Sequence, residues 1–237
     1  MAHATHTHSR EIDAQIERQI RNWELARQQK TEPTTSVERP VEEFIAISRA
    51  AGLPADDIAT ALHERVGWPV FDKEILQAMS GDDVYRKRLY ATMDERDLSW
   101  LEECLRAIGV DRYSARNDYF HRLRETVLAL ARQSHAIFVG RAADLILPGN
   151  VGMRIRLSAS HDFCVRQYAA RAGVSPSAAE QAVEELERER AKFFLNHFGV
   201  EASEPTRHDL ILNMERFTAE QAVDVILAAL RLRGVKP

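Results

Sequence analysis

Residues 44–66 read FIAISRAAGLPADDIATALHERV, a stretch that combines a β-strand with an α-helix. Its first five residues, Phe44 to Ser48, form an apolar run that predicts a buried strand. From Ala55 to Val66 the apolar residues recur at helical spacing, and Asp56 and Asp57 favour a helix start because they complement the helix dipole. The stretch therefore predicts a strand, a short loop and an amphipathic helix in succession.

The same alternation continues along the chain. Further apolar runs predict strands at 68–71, 136–139, 151–157 and 209–212. Helical patterns predict helices at 73–79, 84–108, 117–133, 160–172, 176–198 and 219–233. Strands that alternate with helices need crossover connections, and these produce a parallel sheet with helices on both faces. The predicted fold is a three-layer α/β fold with a parallel five-stranded sheet.

Capping residues mark two of the helix starts. Ser175 precedes Pro176, which suits an N-cap followed by proline at the first helical position. Thr218 and Gln221 have the spacing of a capping box. These signals predict helices that begin at residues 176 and 219.

Residues 1–40 differ in composition and in apolar pattern from the rest of the chain. An otherwise charged helical pattern over 11–30 carries one narrow apolar stripe, formed by Ile12, Ile16, Ile20 and Trp23. The following TEPTTSVERP is typical of a linker. We predict a helical extension and linker over 1–40 and one domain over 41–237. Two interpretations of the stripe stay open: it packs on the protein's own core, or it binds a partner or a second copy of the chain.

The charge balance limits the classes of partner. The 237 residues include 32 Lys and Arg against 36 Asp and Glu, a net charge of −4, without the basic surplus of a nucleic-acid-binding protein. No apolar stretch approaches the roughly 20 residues needed to cross a bilayer, and the first residues lack the hydrophobic segment of a secretory signal. We expect a cytoplasmic protein without nucleic-acid or membrane partners.

Polar residues follow each predicted strand. Ligands of open parallel sheets bind beyond the carboxyl ends of the strands, so these residues are candidates for a site. They are Ser48-Arg49, Asp72-Lys73, Gly140-Arg141, Ser158 to Ser160, and Asn213. The three cations in this set suit a phosphorylated ligand, although polar strand ends also suit plain exposure to solvent.

Five segments follow one another in order between about residues 42 and 230. They read FIAISRAAG, VGWPVFDKEIL, FVGRAADLIL, RIRLSAS and HDLILNMERFTAEQAVDVIL. Their succession resembles the cytidylate kinase-like branch of the P-loop nucleoside-monophosphate kinases. The resemblance implies a P-loop kinase-like fold with helical monophosphate-binding and lid segments. It also implies transfer of the γ-phosphoryl group of ATP to a nucleoside monophosphate such as CMP, with Mg²⁺.

The same resemblance assigns candidate roles to basic residues. The residues expected to bind the acceptor nucleotide are Asp72, Lys73, Arg141 and Arg166, with Arg141 in the Gly-Arg motif that holds the acceptor phosphate. Arg188 and Arg190, within LERER, fall on the lid helix and are the expected catalytic residues.

A second interpretation exists for these two lid arginines. Glu184 with Arg188, and Glu187 with Arg190, have the spacing of ordinary ion pairs on a helix surface. Six histidines lack the paired spacing of metal ligands, so we expect no metal centre; they are His63, His121, His135, His161, His197 and His208.

The loop after the first strand departs from the family's pattern. A Walker A loop reads GxxxxGK followed by Ser or Thr, and this branch tends to a looser serine-arginine-x-x-glycine-serine-glycine-glycine version. Of that version, Ser48, Arg49 and Gly52 remain. Pro54 removes a backbone donor, and the two carboxylates of the first helical turn repel a triphosphate that would lie there.

Two functions therefore stay open. The first is an active nucleoside-monophosphate kinase of the cytidylate type that uses ATP and Mg²⁺. The second is a kinase-fold protein that has lost ATP binding, needs no cofactor and acts as a nucleotide sensor or an interaction module. In both cases we expect the ligand to be a nucleotide or another phosphorylated small molecule.

Overall fold

A single sheet organises the fold. The computed structural model describes residues 14–25, 28, 40–107, 119–201 and 204–235. Five strands form the sheet in the order β2-β3-β1-β4-β5; they are β1 Phe44–Arg49, β2 Val70–Phe71, β3 Ala136–Val139, β4 Met153–Ser158 and β5 Leu210–Asn213. The sheet is parallel and flanked by helices, which confirms the predicted α/β class.

The register places apolar residues of neighbouring strands side by side. Ile47 of β1 pairs with Ile155 of β4, and Leu157 of β4 pairs with Leu212 of β5. Ile47, Ile155 and Leu157 are almost fully buried. Such runs, apolar on both faces, are typical of strands in a parallel sheet that is covered by helices.

Most of the helices lie where the sequence predicts them. The first, α1, is described over residues 14–25; the others are α2 Ala55–Val66, α3 Lys73–Gly81, α4 Asp83–Tyr90, α5 Glu95–Ala107, α6 Tyr119–Gln133, α7 Ala143–Ile146, α8 His161–Ala172, α9 Pro176–Phe198 and α10 Ala219–Leu232. Ser175 caps α9 through its side chain, and both hydrogen bonds of the Thr218–Gln221 capping box are present. Within the described ranges, no helix is long and apolar enough to span a membrane.

The prediction of one helix over 84–108 is wrong. The structure ends α4 at Tyr90 and begins α5 at Glu95. Thr92 donates its hydroxyl to the carbonyl of Leu89 at 2.6 Å, and Asp94 accepts the N–H of Asp97 at 2.8 Å. These side chains bond to nearby backbone, which ends one helix and starts the next.

Contacts within the chain divide it into two compact units. Unit 1 comprises Met1–Phe44 and Trp68–Gly152, and unit 2 comprises Ile45–Gly67 and Met153–Pro237. In unit 1 the rings of Phe71 and Phe138 stack with centroids 5.7 Å apart. In unit 2, Ile58, Leu62 and Ile226 are fully buried. Each unit therefore has an apolar core of its own.

The apolar stripe of α1 is buried within unit 1. Ile16, Ile20 and Trp23 are at most 3% exposed, and the indole of Trp23 donates to the carbonyl of Leu130 at 3.3 Å. The fourth stripe residue, Ile12, lies outside the described residues. The burial supports the interpretation that the stripe packs on the protein's own core.

Candidate functional site

The predicted site residues fall in both units. Unit 1 contains Asp72, Lys73 and Arg141, at the carboxyl ends of β2 and β3. Unit 2 contains the others, which lie on β1, in the loop that follows it, and on α8 and α9: Ser48, Arg49, Gly52, Arg166, Arg188 and Arg190.

Asp72 has a structural task at the end of β2. Its carboxylate accepts the N–H groups of Glu74 at 2.9 Å and Ile75 at 2.8 Å, and thus caps the first turn of α3. Lys73 is the first residue of that helix and is exposed. An acceptor-binding role for either residue stays a prediction.

The backbone after β3 is strained. Gly140, Arg141 and Ala142 have φ angles of 76°, 52° and 53°. The left-handed conformation costs roughly 1–2 kcal/mol for a residue with a Cβ, and such residues cluster at ligand clamps. The strain sets the direction in which Arg141 leaves the end of the strand.

Two side chains hold the guanidinium of Arg141. Its Nη2 donates to Oε1 of Gln77 at 2.6 Å, and its Cζ lies 5.7 Å from the ring centroid of Tyr119. Burial raises the pKa of the Tyr119 phenol, and the charge of Arg141 offsets part of that rise. We call Gln77, Tyr119 and Arg141 the Arg141 cluster.

This cluster contains two buried polar atoms without a hydrogen-bond partner among the described residues. They are the hydroxyl of Tyr119 and Nε of Arg141. Buried polar groups in folded proteins are nearly always paired with protein, water or ligand atoms. No sequence pattern had indicated Gln77 or Tyr119.

Ser48 lies on strand β1, within unit 2. It is 6% exposed, and its hydroxyl is 2.9 Å from Nε2 of His208 and 3.4 Å from the carbonyl oxygen of Ile155. Arg49 ends β1 and is half-buried. The loop proper therefore begins at residue 50.

The loop packs tightly against α8. Gly52 has a φ of +83°, and a Cβ there would overlap the carbonyl oxygen of Cys164. A residue with a side chain would meet both obstacles, the conformation and the contact. Glycine at position 52 is therefore explained by packing, without reference to a ligand.

Most of the described backbone N–H groups of this loop are hydrogen-bonded to backbone carbonyls of the protein. The N–H of Ala50 donates to the carbonyl of Leu157 at 3.1 Å, that of Leu53 to Ala50 at 3.4 Å, and that of Ala55 to Leu53 at 2.9 Å. Pro54 occupies the N-cap position of α2, where no side chain caps the helix. The loop thus closes on itself and on β4.

Helix α9 supplies an acceptor to the same loop. Oε1 of Glu187 accepts the N–H of Ala51 at 2.5 Å and Nη1 of Arg190 at 2.6 Å. Arg188 pairs with Glu185 rather than with Glu184. Both arginines are thus found in ion pairs within α9; for Arg188 the partner is three residues away instead of four.

A cavity of about 330 Å³ lies within unit 2 next to the loop. Its lining combines apolar side chains with polar groups, among them Pro54, Phe163, Met214, Phe217, Gln167 and Glu215. Arg166 is exposed, and its guanidinium carbon lies 5.8 Å from the ring centroid of Phe163. Its volume is at the lower end of the range of small-molecule sites, about 300–1,000 Å³. Nothing in the sequence had singled out this cavity.

One histidine has acidic neighbours that the sequence had not suggested. His161 on α8 and Glu180 and Glu184 on α9 offer ligand-type atoms within 4.8 Å of one another. Nε2 of His161 is 2.6 Å from Oε1 of Glu180, and this hydrogen bond raises the pKa of the imidazole. A surface ion pair between His161 and Glu180 explains why these three side chains lie close together.

The cytidylate kinase-like family matches residues 44–216. The cytidylate kinase of Methanoculleus marisnigri is 30% identical over 82 residues, which are 35% of this chain and 45% of that relative; the match thus spans less than half of the relative's length.

The fold is shared with a solved structure. An uncharacterized protein from Eubacterium ventriosum superposes with a TM-score of 0.62 at 17% identity, covering 80% of this chain and 98% of that one. A shikimate kinase from Bacteroides thetaiotaomicron matches with a TM-score of 0.43 at 16% identity, covering 80% and 98%.

Proposed function

Because the chain belongs to the cytidylate kinase-like family, we propose that it is a nucleoside-monophosphate kinase-type protein that binds a monophosphate such as CMP through Arg141. Its loop after β1 binds Mg-ATP weakly. The geometry at the end of β3 carries the first part of this proposal, and the hydrogen bonds of the loop carry the second.

The Arg141 cluster supports a phosphate ligand. A strained left-handed backbone at Arg141 persists only where the surrounding structure holds it, which is common at binding sites. A guanidinium can bind two phosphate oxygens side by side. Nε of Arg141 and the hydroxyl of Tyr119 have no hydrogen-bond partner among the described residues, and both groups can donate to a phosphate oxygen.

The loop does not fit a triphosphate. A phosphate loop presents several free N–H groups to its ligand, whereas Ala50, Leu53 and Ala55 donate to backbone carbonyls and Ala51 donates to Glu187. Active members of such a family use ATP and Mg²⁺, whereas the loop N–H groups named here are already hydrogen-bonded in the described part of the chain. We therefore propose no phosphoryl transfer at this loop.

The same observation favours a second candidate function, a nucleotide sensor without catalysis. In that case Arg188 and Arg190 keep their ion pairs with Glu185 and Glu187. As catalytic residues they would have to leave these partners to reach a transferred phosphate. The cavity beside Pro54 would then hold the base of a regulatory nucleotide.

Monophosphate binding tests the main proposal. We expect CMP to bind the wild type, and Arg141→Ala to lose roughly 2 to 5 kcal/mol of binding free energy, because a charged hydrogen-bond partner is removed. Isothermal titration calorimetry measures the change. Arg65→Ala serves as the control, since Arg65 is an exposed residue of α2 that pairs with Asp224.

Unchanged CMP affinity in a folded Arg141→Ala protein would contradict the assignment. Mixing CMP with Mg-ATP then separates the two functions. CMP-dependent ADP release at micromolar ATP means an active kinase, whereas CMP binding without ADP release means a sensor.

A further inference from the structure

Glu187 is placed where a bound anion would accept hydrogen bonds from the loop. Its Oε1 receives the backbone N–H of Ala51 and the guanidinium of Arg190. Backbone N–H groups and arginine side chains are the donors that proteins commonly offer to phosphate oxygens. The carboxylate therefore takes up a donor pair of the kind that binds a phosphate.

The bond to Ala51 differs from the other loop bonds in its acceptor. The N–H groups of Ala50 and Leu53 donate to backbone carbonyls, which move only if the backbone moves. Ala51 donates to a side chain that is 37% exposed. A change of rotamer can carry that side chain into solvent, so the bond can open while the loop stays folded.

The loop is also held by a contact with α8. Gly52 lies against the carbonyl of Cys164 on α8, and Leu53 is 3% exposed. The Gly52 contact is with α8 and does not depend on Glu187. Release of Glu187 would therefore free one loop N–H and the guanidinium of Arg190 together, without loss of that contact.

We propose that Glu187 is an internal anion that closes the loop against phosphorylated ligands, and that it thereby determines which anions the protein accepts. The inference rests on the proposed function, because it assumes that the loop is the place where a polyphosphate would bind. A ligand must displace the carboxylate before it can use Ala51 and Arg190. Without the carboxylate, the same two donors attract an anion.

Two substitutions of Glu187 test the closure in the full-length protein. Glu187→Gln keeps the size and a hydrogen-bond acceptor but removes the charge, and Glu187→Ala removes both. The probes are inorganic triphosphate, which needs no base site, and Mg-ATP, both measured by calorimetry. The control is Glu189→Gln, which neutralises an exposed carboxylate two residues away on the same helix and leaves Ala51 untouched.

We expect both Glu187 variants to bind inorganic triphosphate at least about tenfold more tightly than the wild type, because a like charge has been removed from the binding position. Glu189→Gln should bind as the wild type does. Adding Arg190→Ala to Glu187→Gln should abolish the gain, because Arg190 is the cation that the missing carboxylate leaves available.

Amide hydrogen exchange of Ala51, followed by NMR, tests the contact without any ligand. Exchange should be slow in the wild type and faster in Glu187→Ala. Equal exchange in the two proteins would overturn the inference at its first step. If Glu187→Ala does not fold, Glu187→Gln still decides the binding result.

The remaining outcomes are also decisive. A protected Ala51 amide with equal triphosphate affinity in all variants, or with no binding in any of them, would show that Glu187 only fastens α9 to the loop and would overturn the inference. CMP binding through Arg141 is measured separately, so the proposed function can fail or stand on its own result.

Discussion

Two glycines with nearly the same backbone conformation have different surroundings. Gly52 and Gly67 have φ angles of +83° and +73°, so a side chain at either position is strained. A Cβ at Gly67 would meet nothing within 4 Å, whereas one at Gly52 would overlap the carbonyl of Cys164. Comparing alanine substitutions at the two glycines therefore separates the cost of the left-handed backbone from the cost of the steric overlap.

We expect Gly67→Ala to lower the free energy of unfolding by about 1 kcal/mol, which is the left-handed conformation alone. Gly52→Ala should cost an additional 1–3 kcal/mol or so, because the overlap forces the loop away from α8. Urea unfolding of the two variants gives the difference. Equal losses would mean that the loop is not packed against α8 as described.

Single residues also show how far the sequence predicts the site. Arg141 is recognisable because it follows a glycine at the end of an apolar run. Gln77 and Tyr119, which hold it, belong to no motif and are brought to it only by tertiary packing. Glu187 is predictable as a partner of Arg190 from its spacing, but its bond to Ala51 joins segments 136 residues apart.

Helix α1 behaves as part of unit 1. Besides its buried stripe, it forms polar contacts: Oε1 of Gln19 accepts the N–H of Val70 at 3.0 Å, and Arg88 pairs with Glu17 and Glu24. These contacts bring the helix against β2 and α4. We therefore expect its removal to affect stability, although the predicted domain boundary at residue 40 stays a prediction.

Truncation of Trp23 measures this contribution. Trp23→Ala should lower the free energy of unfolding by about 3–5 kcal/mol, because a large buried ring and its hydrogen bond to Leu130 are lost. Leu25→Ala on the same helix should change it by less than about 0.5 kcal/mol, since Leu25 is 49% exposed. Similar effects of the two substitutions in urea unfolding would show that the stripe is not buried in solution.

Apolar periodicity predicts helices better than it predicts the breaks between them. The bounds of α2 and α9 follow directly from apolar spacing and caps. The break between α4 and α5 depends on Thr92 and Asp94, whose local hydrogen bonds compete with a helical pattern that continues across them. Helix α7 has four residues, too few for a period of 3.6 to be visible.

For the molecule as a whole, three exposed ionisable groups make stability depend on pH. The hydrogen bond to Glu180 raises the pKa of His161 above its usual 6.5. The backbone N–H of Ser160 lowers the pKa of Glu215 below its usual 4.5, and the hydroxyl and N–H of Thr206 lower that of Glu204 in the same way. The imidazole and the carboxylates therefore limit stability from opposite sides.

We expect these three groups to contribute most to the free energy of unfolding between pH 4.5 and 6.5. The contribution of His161 is complete below pH 6.5 and is lost as pH rises through the raised pKa; those of the carboxylates are lost as pH falls through their lowered values. Urea unfolding at a series of pH values shows the profile. Glu180→Gln should remove the decline above pH 6.5, and an unchanged decline would exclude this pair as its cause.

The position of β1 in the sheet has a consequence for synthesis on the ribosome. β1 pairs with β4, and Ile45 of the first lies beside Met153 of the second, so about one hundred residues must be translated before this partner exists. At roughly 5 to 20 residues per second, the apolar strand waits several seconds with an unpaired edge. Nascent chains in that state aggregate readily, and chaperone supply during expression is therefore expected to affect the yield of folded protein.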